Sequence, residues 1–232
     1  MRSLEFEPIG TAEDFKMPEW IECVWRRAAC GKESCKICGR ILRDRQKHIE
    51  KGEDPDDLKS ALEDVGDNFK EAMMMVKKDA ERLGIDLENI DDIKEPPEPE
   101  KFPFYRKIQK WHKMVSQIGK DAEASGDLWL GTEAAADLFW YKNTLLAKVY
   151  RELCNIWHIE QKDGYGDFDY DYTSYVINEC LKILKQSLSE LSLLNSSQKP
   201  QLMIALSHLT LLEKQIFKVM PSNKNHFSAG RK

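Results

Sequence analysis

Four of the six cysteines of this 232-residue chain fall within sixteen residues, in CVWRRAACGKESCKICGR, as Cys23, Cys30, Cys35 and Cys38 with the spacing C-x6-C-x4-C-x2-C. Thiolates so placed do one of two things: they bind a metal ion, or they react as nucleophiles and redox groups. The C-x2-C pair is the informative part. Two intervening residues bring both sulfurs to one ion, and the glycine that follows, Gly39, permits a tight turn that aims backbone N–H groups at sulfur. We therefore expect Cys23, Cys30, Cys35 and Cys38 to be metal ligands.

The CKICGR stretch resembles one half of a zinc knuckle, which implies a structural zinc ion. C-x4-C-x2-C also resembles the spacing of plant-type ferredoxins and implies an iron–sulfur cluster as the alternative, although the next cysteine downstream is Cys154 and no ferredoxin-like strands surround the motif. The fourth ligand can be argued from distance. If the chain is helical from Ile41 onward, His48 lies ten residues beyond Cys38, about 15 Å along the axis, too far to share an ion. Cys23 qualifies if the helix suggested by PEWIECVWRRAA stops before Cys30 and the loop folds back.

The elements that must hold these residues are helical. Leu58, Leu62, Val65, Phe69, Met73, Val76, Ala80 and Leu83 recur at three- and four-residue intervals and predict one amphipathic helix ending at Gly84. Segment 96–103, PPEPEKFP, has four prolines in eight residues and reads as a stiff linker. Four further periodic segments follow, around Tyr105–Ile118, Ala135–Trp157, Val176–Leu191 and Leu202–Met220. We expect an all-α chain: a Cys-rich module plus acidic helix over 1–95, the linker at 96–103, an antiparallel four-helix bundle over 104–220, and a frayed tail at 221–232. DFDYDYTSY at 167–175 reads as a turn leading into a helix. Asp167, Asp169 and Asp171 match the first positions of a calcium loop, but Tyr172 and Asn178 stand where Gly and Glu are required.

Charge is segregated along the chain. Residues 23–51 carry nine basic and three acidic side chains, residues 52–100 six basic and seventeen acidic. The basic island, with Arg26, Arg27, Lys32, Lys36, Arg40, Arg43, Arg45, Lys47 and Lys51, suits a nucleic-acid backbone. Equally, the neighbouring acids can neutralise it within the chain, and we favour that reading. The N-terminus has no apolar run behind its charge and no segment reaches spanning length, so no membrane role and a reducing, cytoplasmic setting are expected.

Residues 132–160 show two faces. Ala135, Phe139, Leu146, Val149, Leu153 and Trp157 form the predicted core stripe. Glu133, Ala136, Trp140, Ala147, Arg151, Cys154 and His158 form a second, which is the expected surface for a protein partner or a second subunit. Arg151 and His158 resemble the Arg-x(4 to 6)-His element of the HEPN family, whose helical bundles dimerise and build a composite ribonuclease site. Glu152 stands where that family commonly has Asn, Asp or His, and Arg43 to His48 satisfies the same spacing. Cys154, His158 and Cys180 are also close enough in a helical hairpin to suggest an incomplete metal set, against which buried packing is preferred. No Glu-x-x-His pair, H-E-x-x-H, P-loop or G-x-S-x-G is present. The sequence thus predicts a non-enzymatic, metal-binding helical protein acting through protein contacts, with nucleic-acid binding or cleavage as the alternative.

Overall fold

The computed structural model describes residues 21–83, 87, 94–162, 167–194 and 196–220. Every regular element among them is helical: α1 (Glu22–Trp25), α2 (Lys36–Glu50), α3 (Leu58–Leu83), α4 (Pro103–Ser125), α5 (Glu133–Gln161), α6 (Asp167–Leu193) and α7 (Lys199–Val219), with short 3-10 turns at Pro99–Lys101 and Leu128–Gly131. The chain divides into two compact units, one spanning Pro18–Glu95 and one carrying the residues from Pro96 onward. The tail at 221–232 and the turn before α6 lie outside the described residues.

In the second unit the helix ends follow local chemistry. Pro103 opens α4, where its fixed φ and missing N–H cost nothing, and Gly126 closes it at φ 69°. Thr132 caps α5 by accepting the Ala135 amide, and Lys162 ends it in the left-handed region. α4 packs against α5 and α7, and α6 against the same two helices. Ile108, Val115, Leu138, Leu145, Leu184, Leu188, Leu202 and Leu209 are completely or almost completely buried there. The Trp111 indole N–H donates to the Ala205 carbonyl across the core at 3.0 Å. The proline-rich segment leads directly into α4, and the Tyr150 hydroxyl donates to the Pro97 carbonyl at 3.3 Å. No helix among the described residues is long and apolar enough to cross a membrane.

Two sequence expectations need correction. The buried face of α5 runs through Leu138, Tyr141, Lys142, Leu145, Val149, Glu152, Leu153 and Asn155, with Phe139, Leu146 and Trp157 only half-buried. It is rotated by about 70° from the predicted stripe at 100° per residue. Ala135, Val149 and Leu153 of the predicted stripe are buried, but Leu138, Tyr141 and Leu145 join them in place of Phe139, Leu146 and Trp157, beside the polar Lys142, Glu152 and Asn155. Helix α6 also begins at Asp167, so the start of 167–175 is helical rather than the expected turn.

The first unit is built differently. Its apolar residues buried among those described are Trp25, Cys35, Cys38 and Ala80, whereas the stripe of α3 from Leu58 to Val76 is exposed. Hydrophobic burial on that scale does not hold a unit of this size together by itself.

Candidate metal centre

The helix carrying Cys23 is one turn long. α1 ends at Arg26, whose backbone is extended at φ -70° and ψ 142°, and the chain folds back through Gly31 at φ 69°, a left-handed conformation that glycine adopts without strain. A Lys32 carbonyl to Cys35 amide bond of 3.1 Å closes the next turn, and Cys35 becomes the N-cap of α2. The consequence is convergence: the Sγ atoms of Cys23, Cys30, Cys35 and Cys38 all lie within 4.8 Å of one another. Cys30 and Cys38 sulfurs are 3.5 Å apart, and the Cys30 amide donates to Cys23 Sγ at 3.4 Å. Four cysteines so close together can hold a metal ion.

The backbone favours ionisation of one of these sulfurs. The N–H groups of Cys38 and Ile37, at the open first turn of α2, lie near Cys35 Sγ and bring its pKa down to about 7. Cys23 shows the opposite. The Cys30 amide draws it down, but burial and the neighbouring thiols of Cys30, Cys38 and Cys35 push it up to about 12. Crowded thiols cannot all ionise unless a cation sits among them, which is the electrostatic condition a metal ion satisfies.

Gly39 has a different role from the expected one. It lies inside α2 rather than in a turn, and a Cβ there would stand 2.2 Å from the Glu33 carbonyl oxygen. The glycine lets the Cys30–Cys35 loop pass over the first turn of α2.

Around the centre, acidic residues of the same unit pair with part of the basic island. Arg45 forms a bidentate pair with Asp56 at 2.5 and 2.9 Å, Arg40 pairs with Glu71, and Lys47 pairs with Asp44 at 2.7 Å. His48 is buried and takes no part in the thiol cluster. Its Nδ1 bonds Glu53 at 2.7 Å and its Nε2 bonds Asp64 at 3.1 Å, and those two bonds raise its pKa. This clamp between the end of α2 and α3 has no sequence signature beyond a histidine near acids.

The other sequence candidates lie on α5 and α6. Arg151 is exposed and His158 half-buried, its ring 4.9 Å from that of Trp157. Cys180 is fully buried, which pushes its thiol up to about 12, and burial likewise raises Cys154. Among the described residues, Cys154, His158 and Cys180 do not converge at ligand distance.

Sequence reasoning missed two polar constellations altogether. Buried Lys142 donates to Ser116 Oγ at 2.8 Å and lies 3.3 Å from both His112 Nε2 and Asn143 Oδ1. Fully buried Glu152 accepts from Ser174 Oγ and, at 3.2 Å, from Asn155 Nδ2. Comparison with protein-family models, curated proteins and solved structures returns no match to this chain.

Proposed function

We propose that Cys23, Cys30, Cys35 and Cys38 bind one structural zinc ion, and that the protein is a non-enzymatic helical scaffold acting through protein contacts. The observation that carries this reading is the convergence of four thiols within 4.8 Å. A tetrahedral zinc with Zn–S bonds of about 2.3 Å has sulfur–sulfur edges of about 3.8 Å. The cluster reaches that geometry by small side-chain adjustments. An iron–sulfur cluster places its own irons and sulfides between the cysteines and needs a wider cage, so a single ion is the better fit.

The sparse core of the unit supports a structural role. Where little apolar surface is buried, binding energy at the metal becomes folding energy. The four packed helices of the second unit, read as an antiparallel bundle, then supply the stable part of the scaffold. The α5 face with Glu133, Trp140, Arg151 and His158 supplies a contact surface; Trp140 is exposed on it.

The test is elemental analysis of the purified chain together with its visible spectrum and far-UV circular dichroism during chelation. One zinc per chain, no visible absorption and partial loss of helical signal on chelation are expected. A folded, metal-free protein, or an iron-containing coloured one, overturns the reading. Nucleic-acid binding is disfavoured because Arg40, Arg45 and Lys47 already have carboxylate partners. Salt-sensitive DNA or RNA binding at physiological ionic strength would reverse that preference.

A further inference from the structure

Helix α3 presents an apolar stripe to solvent. Leu58, Leu62, Val65 and Phe69 are 75%, 61%, 63% and 66% exposed, and Met73 and Val76 continue the same face. α3 is tied to its own unit from another side, through Asp64 to His48, Glu71 to Arg40, and the Ser60 hydroxyl to the Asp54 carbonyl. Those anchoring residues lie roughly 150° around the helix from the stripe. The α2 side of the unit therefore does not cover it. A helix of this length with one wide apolar face and charges elsewhere is stabilised chiefly by burying that face.

We propose that α3 is a homodimerisation element, pairing antiparallel with α3 of a second copy of this chain along the exposed span from Leu58 to Val76. Charge distribution selects the partner and its direction. Residues 53–67 carry seven carboxylates and one lysine, while residues 68–83 carry four cations and three carboxylates. A parallel pair would place the two acidic ends together. An antiparallel pair places each acidic end beside the more basic end of the other copy, where Lys77 flanks the stripe.

The side chains fit the same register. With Phe69 opposite Val65 of the second copy, Leu62 falls opposite Ala72 and Leu58 opposite Val76, so each contact joins apolar groups and a bulky residue meets a smaller one in two of the three. Lys70 then falls within one residue of Glu63 of the second copy, on the same flank of the stripe. Gly66 of each copy lies beside the two-fold axis. Nothing stands within 4 Å of a Cβ built there, so its absence lets the backbones approach. The patch is short, so the dimer is expected to be concentration-dependent rather than permanent.

This pairing is independent of the zinc reading, and metal analysis can fail while the dimer stands. The test is sedimentation of the full chain from low micromolar to about 100 μM, a range in which a weak specific dimer forms. A monomer–dimer equilibrium is expected for the wild type, with dissociation at least tenfold easier in Leu62→Glu and in Phe69→Glu, each retaining wild-type circular dichroism. Direction is read by amine cross-linking of mixed isotope-labelled protein. Lys59 to Lys77 links between copies are expected, because the two lysines of one helix are about 27 Å apart along its axis. A wild type that is monomeric throughout, a dimer indifferent to both substitutions, or inter-copy Lys59 to Lys59 links would overturn the proposal. So would loss of fold in both variants of a monomeric chain, which would mean that this chain covers its own stripe.

Discussion

Gly39 and Glu33 approach so closely that a methyl group on Gly39 would lie 2.2 Å from the Glu33 carbonyl oxygen. That oxygen belongs to the loop between Cys30 and Cys35, so relief of the clash must move a segment that carries the clustered thiols. Gly39→Ala is therefore expected to weaken metal retention by tenfold or more, despite the better helix propensity of alanine. Competition with a chromophoric chelator measures it. Gly66→Ala, on α3 with nothing within 4 Å of its Cβ, is expected to leave retention unchanged. Equal retention by both variants would mean that the loop is not held in place by the ion.

The His48 clamp makes the first unit pH-sensitive from both sides. Hydrogen bonds donated to Glu53 and Asp64 raise the histidine pKa in the folded state, so its contribution is complete below the unfolded value of about 6.5 and disappears as pH rises through the raised value. His48 in turn lowers the pKa of Glu53, whose contribution is present above the ordinary carboxylate range and is lost as pH falls through its lowered value. The clamp is thus strongest between the two. An imidazole titration followed by NMR should place His48 above 6.5. His48→Gln should remove the alkaline loss of stability specific to α2 and α3, and an unshifted His48 titration would reject the clamp.

The cysteine cluster was legible from spacing because C-x2-C constrains geometry over only a few residues. Whether Cys23 joined it depended on where α1 stops, and a helix of one turn leaves no periodic signal. The helices from α3 to α7 were legible for the opposite reason, since apolar residues repeat over about four turns or more. Rotation was less legible than position: on α5, Phe139, Leu146 and Trp157 are as apolar as the buried Leu138, Tyr141 and Leu145, so residue type could not choose between the two faces, and Lys142 and Glu152 read as surface residues. The α3 stripe marked the helix correctly, but periodicity cannot say what an apolar face is packed against. The Gly39 contact joins residues whose proximity depends on the path of a whole loop, so the sequence could mark the glycine without giving its reason.

Lys142 is a buried ammonium whose partners, Ser116, His112 and Asn143, are all neutral or reluctant to carry charge. Burial lowers the pKa of both Lys142 and His112, and in His112 the nearby Lys142 charge adds to that effect. Replacing such a cation with an apolar side chain of similar shape removes a desolvation cost at the loss of one good hydrogen bond, to Ser116. Lys142→Met is expected to leave thermal stability unchanged or to raise it by a few degrees. The wild type should lose stability as pH falls below about 6.5, where unfolded but not folded His112 takes a proton. A drop of more than about 2 kcal/mol in Lys142→Met, beyond the usual cost of a volume-conserving change, would show that the ammonium is stabilising where it stands.

Glu152 poses the same question with the opposite expectation, because its carboxyl is hydrogen-bonded by two side chains from different parts of the core. Ser174 on α6 donates to one oxygen and Asn155, one turn along α5, to the other. Truncation in Glu152→Ala would open a cavity and take the shared acceptor from two buried donors. Buried groups left without partners cost about 1–3 kcal/mol each, so a total loss of about 3–5 kcal/mol is expected. Glu152→Gln keeps one acceptor oxygen and should lose less. A double-mutant cycle with Ser174→Ala separates the bond from the cavity: a coupling of about 1 kcal/mol or more would assign Glu152 the role of fixing α6 against α5. Additivity within about 0.3 kcal/mol would instead make the carboxyl a tolerated passenger, and the register of the two helices would then rest on buried apolar residues such as Leu145, Val149, Leu181 and Leu184.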